Sequence, residues 1–143
     1  MIYEIISKRQ KSCHEPVKTP AAIYNLLKRY RNEQQEHFIV ITLNGAHIPI
    51  SMFIATIGLV NKTVVHPREV FSQAIQDKAV SIVICHNHPS GTLSASLEDK
   101  EITEKICKAG NILGIRVLDH IIISKNGFLS LRESGYFNEI GHE

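Results

Sequence analysis

The chain has 143 residues, the size of one ordinary domain, and 43% of them are hydrophobic, which argues against a disordered chain. Its net charge of +2 comes from interspersed acids and bases, so it lacks the strong basic field typical of nucleic-acid-binding domains. No apolar run approaches the ~20 residues that span a bilayer, and the first residues lack a signal-peptide pattern. We therefore expect a cytoplasmic protein with no membrane partner.

Residues 1–143 are expected to form a single domain, with 1–18 as an N-terminal extension and 134–143 as a loosely held tail. Apolar spacing in the first half predicts these elements: a short strand at 2–6, a helix from Thr19-Pro20 to about Arg31, and strands at 38–43 and 48–57 around an Asn-Gly turn. Residues 63–65 are either a short strand or the approach to a helix.

The second half alternates helices with strands in the manner of a layered α/β fold. It predicts a helix from Pro67 to residues 77–78, with Val70, Phe71, Ala74 and Ile75 inward, followed by a strand at 80–85. The next helix is capped by Ser94 or Ser96 and ended by Gly110-Asn111. Apolar runs at 113–118 and 121–124 and a strand at 128–131 complete the second half. Together the elements predict a mixed sheet of five or six strands packed by three helices.

Two histidines one residue apart follow the apolar strand at 80–85. Side chains two residues apart on extended backbone point to the same side, so His86 and His88 should face one way and Cys85 the other. Asp99, in the first turn of the next helix, can return its carboxylate across the Pro89-Ser90-Gly91 turn. Two imidazoles and a carboxylate suit a catalytic zinc, which takes three protein ligands and keeps a fourth position for water.

Hydrolysis also needs a general base and a donor for the developing oxyanion. Glu36, before the strand at 38–43, is the candidate base, and Ser96 is the candidate oxyanion donor. Each residue has a plainer alternative: a hydrogen-bonded pair of surface histidines, a capping box formed by Ser96 and Asp99, and a solvated Glu36.

The combination of these residues resembles the JAMM metalloprotease signature. That signature is a Glu, then His-x-His-Pro, then Ser-x-x-Asp, and the eleven positions from His88 to Asp99 agree with it. More closely, the chain resembles the RadC family of bacterial JAMM/MPN domains over about residues 20–135. The matching segments are Gln35-Glu36-His37-Phe38, His66-Pro67-Arg68-Glu69-Val70-Phe71, His86-Asn87-His88-Pro89-Ser90-Gly91 and Leu118-Asp119-His120-Ile121.

The resemblance implies a cytidine-deaminase-like three-layer α/β/α sandwich with a mixed sheet. It implies Zn²⁺ bound by His86, His88 and Asp99, with Glu36 as general acid/base and Ser96 at the oxyanion position. It also carries a DNA-repair label, although the chain shows no N-terminal helix-hairpin-helix region before Thr19.

Asp119 and His120 have two interpretations. They either supply a supporting carboxylate or imidazole behind the zinc ligands or form a structural hydrogen-bonding pair at a strand junction, and the second is favoured. Five other histidines are expected in surface or capping roles: His14, His37, His47, His66 and His142.

The leading hypothesis is a zinc-dependent peptidase or isopeptidase acting on an unidentified peptide or protein. One alternative is a DNA-associated accessory module without peptidase activity, for which Lys28, Arg29 and Arg31 could contact phosphate, although cations also suit a helix C-terminus. Another is a metal-stabilised scaffold without a substrate. An HNH nuclease and a zinc deaminase are disfavoured, the latter because no Pro-Cys-x-x-Cys follows. The oligomeric state is left open.

Overall fold

The computed structural model describes residues 15–58 and 65–142, together with the backbone of residues 4–5. Its elements in chain order are β1 (Glu4–Ile5), α1 (Pro20–Leu27) with a 3₁₀ turn (Lys28–Tyr30), β2 (His37–Leu43), β3 (Pro49–Ile57), α2 (Pro67–Gln76), β4 (Ser81–Asn87), α3 (Leu97–Leu113), β5 (Arg116–Ser124), β6 (Gly127–Ser130) and α4 (Tyr136–Glu139). The sequence expectations at His14 and at 63–64 lie outside the described residues.

Within this described part, the strands form one six-stranded mixed sheet in the order β1-β3-β2-β4-β5-β6. β4 and β5 are parallel, and each of the other neighbouring pairs is antiparallel. α3 makes the crossover from β4 to β5, as a parallel pair requires. The mixed sheet expected from the sequence is confirmed.

Each face of the sheet carries its own apolar core. One core contains Phe71 of α2, Ile102 and Ile106 of α3 and Phe137 of α4, packed on Ile84 of β4. The other contains Ile23 and Leu27 of α1, packed on Val83 and Cys85 of β4. The chain is therefore a three-layer α/β/α sandwich, and Cys85 is a core residue on the face opposite His86.

Two strands differ from their predicted bounds. β4 extends through His86 to Asn87, because Phe38 of β2 and Ile122 of β5 pair with His86 on its two sides. The apolar runs at 113–118 and 121–124 belong in part to one strand, β5, which continues through Asp119 and His120. A register shift between Ile82 and Val83 accommodates this continuity.

The predicted end of α3 at Gly110-Asn111 is wrong. The helix continues to Leu113 and ends at Gly114, which adopts the left-handed conformation at φ 72°. Gly110 is buried inside the helix, where a Cβ would collide with the Ile115 carbonyl and lie 3.1 Å from the Phe71 ring. Because Gly110 has no side chain, the Ile115 carbonyl and the Phe71 ring can approach its backbone closely. A glycine late in a helical pattern also resembles a helix stop, which explains the wrong prediction.

The described part of the expected tail, residues 134–142, is anchored to the rest of the fold. α4 buries Phe137 to 1% exposure, and His142 lies at 5% exposure with its Nε2 donating to the Val117 carbonyl. His142 is therefore a buried anchor instead of a surface residue. α2 departs in a smaller way, because Gln73 is buried where Ile75 was expected and Ile75 is 55% exposed.

Candidate metal centre

Three predicted ligands converge at the end of β4 and the start of α3. His86 Nε2 lies 3.0 Å from Asp99 Oδ1, His88 Nε2 lies 3.2 Å from Asp99 Oδ2, and the two Nε2 atoms are 2.8 Å apart. The three ligand atoms all lie within 4.8 Å of one another, which makes this a group that could hold a metal ion. The strand end supplies both imidazoles from one fixed backbone segment, and the helix start supplies the carboxylate.

The turn after β4 sets which nitrogen of His88 carries its proton. His88 Nδ1 lies 2.9 Å from the Thr92 carbonyl oxygen, which can only accept, so Nδ1 donates and Nε2 keeps its lone pair. That turn is fixed in its own right, because Gly91 has φ 86° and its carbonyl accepts from Ser124 Oγ and Asn126 Nδ2. The ring thus presents the tautomer that a metal ligand needs.

The donor set fits a cation. Asp99 Oδ2 already accepts from the Ser96 amide at 2.8 Å, and it faces the lone pair of His88. A carboxylate and an imidazole lone pair at this distance repel each other unless a proton or a metal cation lies between them. Two imidazole nitrogens and one carboxylate are also a known donor set of catalytic zinc sites.

The charges in the cluster follow from its burial and hydrogen bonds. Burial raises the pKa of Asp99, but without a metal the hydrogen bonds that His86 and His88 donate when their Nε2 atoms carry protons outweigh it and hold that pKa well below its usual range. A bound metal cation would take the place of those protons. Burial lowers the pKa of His88, but its bonds to Asp99 and Thr92 and the charges of Asp99 and Glu36 leave it above its ordinary value. The cluster is thus built around an ionised carboxylate that favours positive charge.

Glu36 lies in the loop before β2, half-buried, and its charge contributes to the raised pKa of His88. The sequence placed Glu36 fifty residues from His86, and a side chain that sequence reasoning missed connects the two segments. Asn87 Oδ1 accepts from the His37 amide at 2.7 Å, and Asn87 Nδ2 donates to the carbonyls of Gln35 at 3.0 Å and Glu33 at 3.3 Å. A buried asparagine between two ligand histidines is the signal that could have identified this clamp.

Ser96 is the N-cap of α3. Its Oγ accepts from the Asp99 amide at 3.1 Å while Asp99 accepts from the Ser96 amide, so the capping-box alternative describes these contacts. A hydroxyl that accepts one bond can still donate its own hydrogen, and Ser96 is exposed. The cap and a role at an oxyanion are therefore chemically compatible.

Asp119 and His120 fit different interpretations: His120 lies behind a candidate ligand, and Asp119 forms structural hydrogen bonds. His120 Nε2 lies 2.7 Å from His86 Nδ1, directly behind a ligand. Asp119 instead accepts from the amides of His120 and Arg132 and from Ser130 Oγ, and burial raises its pKa despite these bonds. The imidazole thus contacts a candidate ligand, whereas the carboxylate joins β5 to the segment that follows β6.

The basic cluster at the end of α1 has a plainer description than a phosphate-binding patch. Arg29 Nη2 donates to the hydroxyl of Tyr30 at 2.9 Å and Arg31 Nη1 to that of Tyr24 at 3.3 Å, so two of the clustered cations already bind their own helical segment.

In the described residues, no helix is long and apolar enough to cross a membrane.

Comparison with known proteins places this site in a family context. A family model described as "RadC-like JAB domain" matches residues 17–136. A UPF0758 protein from Caldanaerobacter subterraneus is 46% identical over 123 residues, which cover 85% of this chain and 53% of the relative. One from Methanospirillum hungatei is 51% identical over 104 residues, covering 73% and 46%, and one from Methanococcoides burtonii is 37% identical over 141 residues, covering 96% and 62%. The chain thus spans about half the length of the curated relatives it matches.

Proposed function

Because the chain belongs to the RadC-like JAB domain family, we propose that it is a metal-dependent hydrolase that cleaves an amide bond in a peptide or protein. The metal is zinc, held by His86, His88 and Asp99. The single observation that carries this proposal is the convergence of two imidazole nitrogens and a carboxylate at the end of β4, where the His88 lone pair faces the ionised carboxylate.

Zinc in a site of this kind supplies Lewis acidity and lowers the pKa of water. Glu36 takes the proton of the attacking water and delivers it to the departing amine; its charge acts on His88, which supports a position beside the cluster. Ser96 donates its hydroxyl hydrogen to the oxyanion that develops on the carbonyl oxygen. Asp99 and the two imidazoles hold their positions throughout.

The surroundings of the cluster support this division of roles. The His86 side chain is fully buried, while that of His88 is 11% exposed, so the cluster is reached from the His88 side. Ser96 is exposed and Glu36 is half-buried. Glu36 and Ser96 can therefore both meet a substrate, and His86 is shielded from it.

A matched pair of variants tests the proposal. Purified without a histidine tag and loaded with zinc, the protein is incubated with peptide mixtures and isopeptide-linked proteins while new amines are measured by fluorescence. Glu36→Gln should keep its zinc and lose about 10²- to 10⁴-fold in hydrolysis, because the proton carrier is removed. Glu33→Gln, an exposed change in the same loop, should keep full activity.

Equal hydrolysis by Glu36→Gln and the unchanged protein would remove Glu36 from the mechanism. No stoichiometric zinc in the unchanged protein after reconstitution would remove the metal centre itself.

A further inference from the structure

A chain of hydrogen bonds behind the candidate metal centre joins one ligand to another. His86 Nδ1 lies 2.7 Å from His120 Nε2, His120 Nδ1 lies 2.5 Å from Thr103 Oγ1, and Thr103 Oγ1 lies 2.6 Å from the backbone carbonyl of Asp99. His86, His120 and Thr103 are all at 0% exposure. The path therefore runs from a ligand on β4 through β5 to the ligand-bearing first turn of α3 without meeting solvent.

Elementary chemistry fixes every proton along this path. The carbonyl oxygen of Asp99 only accepts, so the single hydroxyl hydrogen of Thr103 is donated there. His120 Nδ1 must then be the donor to Thr103 Oγ1, which leaves a lone pair on Nε2 of the neutral ring. His86 Nδ1 donates to that lone pair, and His86 Nε2, which faces Asp99, is left as a bare acceptor.

We propose that Thr103 and His120 are positioning residues that hold His86 in its metal-binding tautomer and fix it relative to Asp99. This inference rests on the proposed function, because it assumes that His86 and Asp99 bind the metal. Thr103 lies one helical turn after Asp99, so the bond to the Asp99 carbonyl alone would be an ordinary threonine contact within a helix. The donation from His120 on a different element is what makes Thr103 part of the centre.

Packing restricts the two rings to this arrangement. Phe38 stacks on His86 with ring centroids 6.2 Å apart and meets the edge of His120 at 5.9 Å. The phenyl ring offers no competing hydrogen-bond acceptor to either imidazole. Thr103 is thus the group that decides which nitrogen of His120 carries the proton, and His120 decides the same for His86.

Zinc affinity of threonine variants tests the inference. Thr103→Val keeps the shape but leaves the His120 donor without its acceptor, so zinc affinity, measured by competition with a chromophoric chelator, should fall about 10- to 100-fold. Thr103→Ser restores the hydroxyl and should restore the affinity. Thr42→Val is the matched control, because Thr42 is equally buried but its hydroxyl donates to Asp77. Unchanged affinity in Thr103→Val would overturn the inference.

A second measurement needs no variant and decides the matter if Thr103→Val does not fold. Long-range ¹H–¹⁵N spectra of the imidazole rings of the unchanged protein should show the proton of His120 on Nδ1, with or without zinc. A proton on Nε2 of His120 would contradict the inference. If the unchanged protein takes up no zinc, the proposed function fails, and the His120 tautomer is still read separately.

Discussion

Asn87 shows how much of the candidate site depends on a residue that does no chemistry. It stands between the two histidine ligands, and strand alternation turns its amide to the opposite side, toward the loop that carries Glu36. Its three hydrogen bonds span 50 to 54 residues of sequence. The position of Glu36 relative to His86 and His88 therefore depends on the Asn87 amide as well as on the strands.

Asn87→Ala should destabilise the protein by about 1–3 kcal/mol, because it leaves the buried His37 amide without its acceptor. Urea unfolding followed by circular dichroism measures this loss. Asn111→Ala, an exposed change in α3, is the control and should stay within about 0.5 kcal/mol of the unchanged protein. An Asn87→Ala protein as stable as the Asn111→Ala protein would show that the clamp contributes nothing to folding.

At this residue scale the sequence predicted the ligand set but not its supports. His86, His88 and Asp99 are visible because they are close in the chain and have ligand chemistry. The supporting role proposed for Thr103 and His120 depends on α3 and β5 meeting behind His86, a relation that no local pattern contains. Asp119 was paired with His120 by adjacency, although successive residues on a strand point to opposite faces.

At the scale of elements, α3 shows why a glycine is ambiguous in a sequence. Gly110 and Gly114 both resemble helix stops, and the local pattern cannot rank them. Gly114 is the true cap, while the Gly110 carbonyl accepts from the amides of Gly114 and Ile115. Gly110 instead lies beside the ring of Phe71 of α2, a tertiary contact that the local pattern does not contain.

Gly110→Ala should therefore reverse the usual sign of a glycine-to-alanine change within a helix. The change ordinarily stabilises a helix by about 0.5–1 kcal/mol, but here the added methyl group collides with the Ile115 carbonyl and the Phe71 ring, which should cost about 1–3 kcal/mol. Thermal unfolding measures the effect. Gly45→Ala, with no atom within 4 Å of the added carbon, is the control and should be near neutral.

A Gly110→Ala protein more stable than the parent would mean that α3 and α2 can move apart freely. In that case the close packing of these helices would not help to hold the first turn of α3 at the candidate metal centre.

At the scale of the whole molecule, the order of elements was readable because each strand and helix carries its own apolar period. The complete sheet order was not, because the pairing of β2 with β4 depends on contacts distant in sequence. The anchoring of the tail was not readable for the same reason: Phe137 and His142 are anchored by β5 and the core beneath α3, which local composition does not reveal.

The topology also explains why the centre lies where it does. β4 lies inside the sheet, between β2 and β5, so its end meets the loop before β2 on one side and the crossover helix α3 after it. The sheet order thus brings three chain segments to one edge. They carry Glu36, the two histidines and Asp99. Under the proposed function, a metal ion binds at this meeting point.

Crystals of the protein soaked in zinc, with diffraction measured on both sides of the zinc absorption edge, test that claim most directly. One strong anomalous peak is expected among His86 Nε2, His88 Nε2 and the Asp99 carboxylate, because the lone pairs of these ligand atoms converge there. The peak should be absent in His88→Ala crystals. No peak at this position in the unchanged protein, or a peak held only by other residues, would contradict the account.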